Sequence, residues 1–230
     1  MATPKKKAAQ EFAPEKKYEL LPDDTIQHFG RTLYRIRALV SFGAIAAGTL
    51  GGYVESESNL AQVSGDAWVS GDARVYGNAW VYGNALVSGD ARVSGNAWVS
   101  GNALVSGDAQ VYGNAWVSGN ARVYGDAQVY GDAQVSGNAK VSGNAWVSGN
   151  AQVYGDASII WVSKVGSESG TLTVTHGKDG LVVTRGCFTG SDVEFVAAVA
   201  ERHGADSKIG REYALLIEFA RLRLCKPVEV

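Results

Sequence analysis

A six-residue unit, Ala-x-Val-(Ser/Tyr)-Gly-(Asp/Asn), occurs sixteen times in succession between Ala61 and Ala157, without an insertion or a deletion. Alanine and valine alternate with the variable and the Ser/Tyr positions, which is the period of a strand that buries one face. Glycine followed by Asp or Asn favours a tight turn. A unit this short and this regular predicts a solenoid in which each hexapeptide forms one side of a coil.

The variable position of the repeat indicates how many sides each coil has. Residues 18 positions apart are often identical there, as in the pairs Arg74/Arg92, Trp80/Trp98, Leu86/Leu104, Trp98/Trp116, Gln110/Gln128 and Gln134/Gln152. Such residues lie one above the other if three hexapeptides complete one coil. We therefore predict a mainly β fold, a three-sided parallel β-helix of about five coils and about 25 Å in length, at roughly 4.8 Å per strand.

The segments on either side of the repeat should cap its ends, which would otherwise expose unpaired strand edges. We predict a mobile tail at 1–27, an N-terminal β cap at 28–60, the β-helix at 61–157 and a small α+β cap at 158–230. The sequence has no apolar leader and no long apolar stretch, so we expect neither secretion nor membrane insertion.

Local patterns predict the elements inside the caps. Strands are expected at 32–39, 171–175 and 181–184, with a turn at 177–180, and helices from Ser191 to Gly204 and at 208–224. The first helix begins at a capping box, Ser191 with Glu194 three residues later. The residues expected to face inward are Val193, Val196, Val199 and Ala200 in the first helix, and Tyr213, Leu216, Ile217 and Ala220 in the second.

The repeat resembles the hexapeptide-repeat superfamily of left-handed parallel β-helices, whose pattern of aliphatic, small, x, Asx, small, x fits residues 93–98, Val-Ser-Gly-Asn-Ala-Trp. The resemblance implies a left-handed coil and a parallel trimer. Many members of that superfamily are acyltransferases that use acyl-CoA and a histidine base on or beside the coils. Here the coils contain no histidine and no inserted loop, and the three histidines, His28, His176 and His203, all lie in the caps. Acyl transfer is therefore a disfavoured alternative, because a general base must reach the proton that it removes.

The flanking segments are similar to those of uncharacterised phage and prophage hexapeptide-repeat proteins. The similarity lies in residues 29–37, 52–60 and 185–190, together with Glu194-Phe195 and His203-Gly204. This resemblance implies a viral origin and action in the cytoplasm of the bacterial host. It supplies no activity.

Composition adds few constraints on partners. The net charge is −2 and gives no strong signal for nucleic acid or for a membrane surface. The lysine run at 5–7 is typical of a solubilising tail. Cys187 and Cys225 are the only cysteines and fit a reducing compartment. No cofactor is predicted.

The outward residues of the coils are the strongest functional signal. Apolar side chains should form stripes on two of the three sides, at Trp80, Trp98 and Trp116 on one and at Trp68, Leu86 and Leu104 on the other. Exposed apolar stripes usually mark interfaces, so we predict a homo-oligomer, in its simplest form a trimer. A foreign protein, an aromatic ligand or a sugar is the alternative occupant. The third side is a candidate ligand face with Arg74, Tyr76, Arg92, Tyr112 and Tyr130.

Four aspartates share one corner of the predicted helix: Asp72, Asp90, Asp108 and Asp126. Carboxylates one strand apart repel each other, and a hard cation could bridge them through oxygen ligands. The simpler interpretation is that Asp is a good turn residue and that Arg74 and Arg92 supply counter-charge. We predict no metal site, with this column as the one weak candidate.

These observations predict a non-enzymatic, oligomeric β-helix that binds and scaffolds. The phage resemblance points to a host factor as its target, for example a defence or replication protein, so that counter-defence or host takeover is the expected role. One alternative is a sponge that sequesters a nucleotide defence signal. The other is the hexapeptide acyltransferase.

Overall fold

The fold begins with an antiparallel β unit that leads directly into the coils. A computed structural model describes residues 16–155 and 158–224. In the N-terminal cap, β1 (Tyr18–His28) pairs antiparallel with β2 (Arg31–Ala38), and β2 pairs antiparallel with β3 (Leu50–Val54). A 3-10 turn follows at Glu57–Asn59. The cap thus begins well before residue 28, so the predicted boundary between a mobile tail at 1–27 and a cap at 28–60 is wrong. Residues 1–15 of the predicted tail lie outside the described residues.

Each regular hexapeptide contributes one short strand. The coil strands are β4 (Trp68–Val69), β5 (Arg74–Val75), β6 (Trp80–Val81), β7 (Leu86–Val87), β8 (Arg92–Val93), β9 (Trp98–Val99), β10 (Leu104–Val105), β11 (Gln110–Val111), β12 (Trp116–Val117), β13 (Arg122–Val123), β14 (Gln128–Val129), β15 (Gln134–Ser136), β16 (Lys140–Val141), β17 (Trp146–Val147) and β18 (Ala151–Tyr154).

The coil strands stack into three parallel sheets, which confirms the three-sided β-helix. One sheet runs β3-β5-β8-β11-β14-β17 and is extended by β2 and β1, the second runs β4-β7-β10-β13-β16, and the third runs β6-β9-β12-β15-β18. Paired residues are 18 apart, as in Trp98 with Trp116 and Arg74 with Arg92. The outward residues of the three sheets define an Arg/Gln face (Arg74, Arg92, Gln110, Gln128), a Leu face (Leu86, Leu104) and a Trp face (Trp80, Trp98, Trp116).

Alanine and valine form the core, and glycine makes the corners. From Ala67 to Val153 the alanine and valine of every copy are buried. Gly101 has φ +65, and a Cβ there would lie 2.9 Å from the backbone nitrogen of Gly119 in the next coil. Both the positive φ and the close approach of the coils therefore require glycine at this corner.

Two of the three corners carry hydrogen-bonded asparagine ladders. In one, the Asn78 Nδ2 donates to Asn96 Oδ1 at 3.1 Å, and the Asn96 Nδ2 donates to Asn114 Oδ1 at 3.0 Å. The other ladder runs through Asn84, Asn102, Asn120 and Asn138. The third corner carries the four aspartates. Amide side chains can donate and accept in the same column, whereas carboxylates can only accept, so only the asparagine corners form such ladders.

The N-terminal cap closes the first coil, and the first copy of the repeat does not join the stacked sheets. Gln62 accepts the Lys17 backbone N–H at 3.0 Å and donates to the Tyr18 carbonyl at 3.0 Å. The copy at 61–66 consequently forms no strand, and its Val63 is exposed rather than buried. Regular coils therefore begin at Ala67 and not at Ala61.

The C-terminal cap folds across the last coil. The strands β19 (Ile159–Val165), β20 (Gly170–Gly177), β21 (Gly180–Arg185) and β22 (Phe188–Ser191) extend the third sheet antiparallel to β18. The Trp146 N–H donates to Thr173 Oγ1 at 3.0 Å, and the hydroxyls of Ser148 and Thr184 share a hydrogen bond at 2.9 Å. These contacts seal the end of the solenoid core.

Two helices pack on the other side of this cap sheet, α1 (Asp192–His203) and α2 (Lys208–Leu224). The predicted capping box is confirmed, because the Glu194 N–H donates to Ser191 Oγ and Glu194 Oε2 accepts the Ser191 N–H. The prediction for the inward face of α1 is partly wrong, because Val193 is exposed and Phe195 is buried with Val199. Phe195 offers the larger apolar surface and meets the rings of Phe188 and Tyr213 edge-on.

Candidate binding surfaces

The Trp face carries a row of exposed indoles. Trp80, Trp98 and Trp116 are 38 %, 41 % and 43 % exposed. Consecutive rings meet edge-on, with centroids 5.9 Å and 5.5 Å apart and ring planes at 89° in both pairs. Tyr82 stacks on Trp80 at 4.2 Å, a contact that we did not predict. The row is thus an exposed apolar surface of rings in contact with one another.

Trp68 was predicted to lie on the exposed stripe of the Leu face, and that placement is wrong. Its register is as expected, opposite Leu86, but the N-terminal cap covers it. Tyr18 and Phe42 meet the Trp68 ring edge-on, at centroid distances of 6.4 Å and 5.5 Å. The cap covers the Trp68 ring because burying this bulky side chain removes a large apolar area from water at the end of the first coil.

The remaining Leu face has a short apolar stripe. Leu86 is exposed and Leu104 is half-buried. The column continues into Arg122 and then Lys140, so it becomes cationic toward the C-terminal cap. The apolar part of the Leu face thus lies at the level of Trp80 and Trp98 on the Trp face.

The Arg/Gln face brings together part of the predicted ligand set. Arg74 and Arg92 are directly paired in adjacent coils. Tyr112 and Tyr130 stack at 4.9 Å with ring planes 3° apart, and burial raises the pKa of Tyr112. Tyr76 occupies the same column but is separated from Tyr112 by Ser94, so it does not join that stack.

The tip of the β1–β2 hairpin adds two residues that sequence reasoning missed. The His28 ring lies 5.1 Å from the ring of Tyr76, and its Nδ1 is 3.4 Å from Arg74 Nη1. Burial lowers the pKa of His28, and the positive charges of Arg74 and Arg92 lower that pKa further. Phe29 packs on His28 at 4.4 Å and is 80 % exposed.

The two arginines do not neutralise the aspartate corner. Within the described residues, neither Arg74 nor Arg92 forms an ion pair with a carboxylate; the cation beside Asp72 is Arg35, at 3.8 Å. The expectation that Arg74 and Arg92 supply counter-charge is therefore wrong. Across 16–155 and 158–224, no three His, Cys, Asp or Glu side chains, those of the aspartate column included, are grouped closely enough to hold a metal ion together.

The histidines lie at three separate places in the caps. His28 ends β1, His176 lies in β20 opposite Leu181, and His203 ends α1. His203 lines a cavity of about 150 Å³ with Cys187, whose thiol is free and exposed.

Helix α2 presents a further apolar stripe, which we did not predict. Its inward face buries Tyr213, Ile217 and Ala220, while Leu215, Phe219 and Leu222 on another face are exposed. Neither helix of the described chain is long and apolar enough to cross a membrane.

The three stacked sheets and their 18-residue register define a parallel β-helix repeat protein. Its coils match the family described as YdcK Beta solenoid repeat. The matched residues are 61–77, 67–83, 73–89, 79–95, 85–101, 91–107, 97–113, 109–125, 115–131 and 133–149. No curated protein matches the chain. The similarity covers the coils and leaves both caps unmatched.

Proposed function

We propose that this protein is a non-enzymatic scaffold that self-associates through the sides of its β-helix and presents the assembled surface to a partner in the bacterial host. The observation that carries the proposal is the row of Trp80, Trp98 and Trp116, exposed and held edge to face. Tryptophan is enriched at the centres of protein interfaces and dominates their binding energy.

The ends of the solenoid are poor surfaces for assembly. Tyr18 and Phe42 cover the first coil, and Thr173 and Thr184 are hydrogen-bonded to the last. Covered ends are less able to pair with the strands of another chain, which opposes growth into fibres. The proposed route is therefore association through the long sides of the coils, where the Trp face lies.

The two apolar faces suit a head-to-tail contact, in which the Trp face of one copy packs against the Leu face of the next. Leu86 and Leu104 are stacked in neighbouring coils at the level of Trp80 and Trp98. A contact between two different faces repeats from one copy to the next. It forms a closed ring when the rotations between successive copies add up to a full turn. Three copies is the number that the resemblance to the hexapeptide-repeat superfamily implies. In this arrangement the Arg/Gln face stays in solvent, because the arginines and glutamines that define it are polar.

Self-association is tested by recovering one copy with another from the same cell. Two versions of the chain with different tags are co-expressed, and one tag is captured. We expect the second version to be recovered, and to be lost with Trp98→Glu but not with Gln110→Glu, which introduces the same charge at the same repeat position on the Arg/Gln face. Equal recovery of all three would contradict the proposed interface.

The host partner is tested in the same setting. Capture of wild-type chain should recover one bacterial protein at a fixed ratio to it, and recovery should fail with the assembly-deficient Trp98→Glu.

The non-enzymatic part of the proposal rests on the coils, which carry no histidine or cysteine. We expect no release of free CoA from acyl-CoA with a panel of amine and hydroxyl acceptors. Release that disappears with His176→Ala or His203→Ala would instead favour the hexapeptide acyltransferase.

A further inference from the structure

The tyrosine column of the Arg/Gln face is interrupted at one level. Outward positions 76, 94, 112 and 130 are Tyr, Ser, Tyr and Tyr, each in the next coil. Tyr112 and Tyr130 show what neighbouring rings do here, since they stack nearly parallel at 4.9 Å. A planar ring at the level of Ser94 would continue this stack, with Tyr112 on one side and Tyr76 on the other. A surface cavity of about 410 Å³ reaches Ser94 and Tyr76 from the side of the asparagine corner, where Asn78, Asn96 and Glu55 also line it.

Two uncompensated cations lie beside the interruption. Arg92 is two residues before Ser94 on the same strand, and Arg74 is paired with it in the coil above. Like charges one strand spacing apart repel, and among the described residues no carboxylate pairs with either guanidinium. The Nε of Arg74 and the Nε2 of His28 are buried without a hydrogen-bond partner in the described chain. Such atoms are uncommon, because leaving a buried polar group unpaired is unfavourable.

The hairpin tip presents an aromatic side chain at the same place. Phe29 has φ +48 and Gly30 has φ +74, so the two-residue turn from His28 to Arg31 has positive φ at both central positions. Turns of this type favour Asn or Gly at the first position, and a bulky residue there is strained. Phe29 offsets none of this strain by burial, since it is 80 % exposed. Its ring contacts His28 at 4.4 Å, and most of its surface is open to a ligand.

We propose that this part of the Arg/Gln face binds a nucleoside monophosphate, with the base at the level of Ser94 between Tyr76 and Tyr112 and the phosphate on Arg74 and Arg92. Outward residues two apart on a strand are separated by about 6.6 Å, at roughly 3.3 Å per residue. The arginines that would bind the phosphate are therefore separated along the strand from the level that would hold the base, as the two ends of a nucleotide require. Stacking on aromatic rings and charge-assisted bonds from arginine supply the two parts of the affinity.

The ring position is tested by Ser94→Tyr, which fills the interruption with the residue that the chain itself uses at 112 and 130. This variant should fold as the wild type does. Ser142→Tyr is the matched control, since it lies at the same repeat position two coils beyond Leu104 and outside the proposed contact. Titration calorimetry with AMP should show binding to wild type and to Ser142→Tyr, and binding to Ser94→Tyr weaker by about tenfold or more.

The anion position is tested by Arg92→Gln, since glutamine occupies the equivalent position at 110 and 128. Affinity for AMP should fall about tenfold, while Arg122→Gln on the Leu face should leave it unchanged. Adenosine alone and inorganic phosphate alone should each bind wild type more weakly than AMP. Wild type that does not bind AMP, or that binds it as well after Ser94→Tyr and Arg92→Gln, would overturn the proposal. Neither variant alters the Trp face, so the result is independent of whether the chain assembles.

Discussion

Trp98 lies edge-on to Trp116, with ring centroids 5.5 Å apart and ring planes at 89°. The two residues are directly paired across adjacent coils, so the 18-residue register of the repeat sets their distance. Edge-to-face pairs of this kind are favourable by about 0.5–1.5 kcal/mol beyond the area that they bury. These contacts restrict the rotamers of the rings, so association through this face would lose less side-chain entropy than it would with isolated tryptophans.

Overfilling the core should destabilise the coils, whereas the same addition on the surface should not. Ala109 is buried and Gln110, its neighbour, points outward. We expect Ala109→Leu to lower the free energy of unfolding by about 1–3 kcal/mol, because the thin core has no room for the larger side chain. Gln110→Leu is the control, since Leu occupies that position at 86 and 104. Denaturant unfolding of both variants measures the difference; equal stabilities would contradict a close-packed interior.

The asparagine ladders and the aspartate corner should respond in opposite ways to an exchange of amide and carboxylate. Asn96→Asp removes the donor to Asn114 and introduces a charge, so it should destabilise the chain by about 0.5–1.5 kcal/mol. Asp90→Asn should have no such effect and should stabilise slightly, because it removes repulsion between stacked carboxylates. Thermal unfolding at low salt gives both values, and destabilisation by both exchanges would argue against the ladder.

The hairpin tip should become more stable when Phe29 is replaced. Phe29→Asn places a residue that tolerates positive φ in a turn that requires it, and the exposed phenyl ring makes few contacts to lose. A rise in the free energy of unfolding of about 0.5–1 kcal/mol is expected, since the left-handed conformation costs most other residues about 1–2 kcal/mol. A loss of stability would mean that the contact of the ring with His28 outweighs the backbone strain.

His28 should make stability fall on acidification. Its pKa in the folded chain lies below the ordinary value of 6.5, so the unfolded chain binds more protons in the window below that value. The stabilisation is present above about pH 6.5 and is lost as the pH falls through the folded pKa. Melting temperatures from about pH 7.5 to pH 5 should decline more steeply for wild type than for His28→Gln. Parallel curves for the two proteins would contradict this prediction.

The repeat made most of the fold predictable from the sequence. Stacking at 18 residues and the inward alanine and valine follow directly from the period, and the first cap helix from its capping box. Contacts between segments far apart in the chain could not be predicted in this way. Trp68 follows the repeat pattern perfectly and is buried only because Tyr18 and Phe42 come to lie on it.

The same limit applies to the candidate sites. The columns of Trp80, Trp98 and Trp116 and of Arg74 and Arg92 could be counted along the chain. His28 reaches Tyr76 only because the hairpin tip folds over the coils, which no periodicity encodes. The one sequence signal was the Phe29-Gly30 pair, a poor choice for a turn with positive φ at both positions.

The measurement that tests the central claim most directly is the mass of the protein in solution by light scattering, for wild type, Trp98→Glu and Gln110→Glu. We expect a wild-type oligomer, a trimer in its simplest form, that Gln110→Glu preserves. Trp98→Glu should be monomeric, because a carboxylate buried in an apolar contact without a partner is strongly unfavourable. A wild type that is monomeric at high concentration, or a Trp98→Glu variant with the wild-type mass, would contradict assembly through the Trp face.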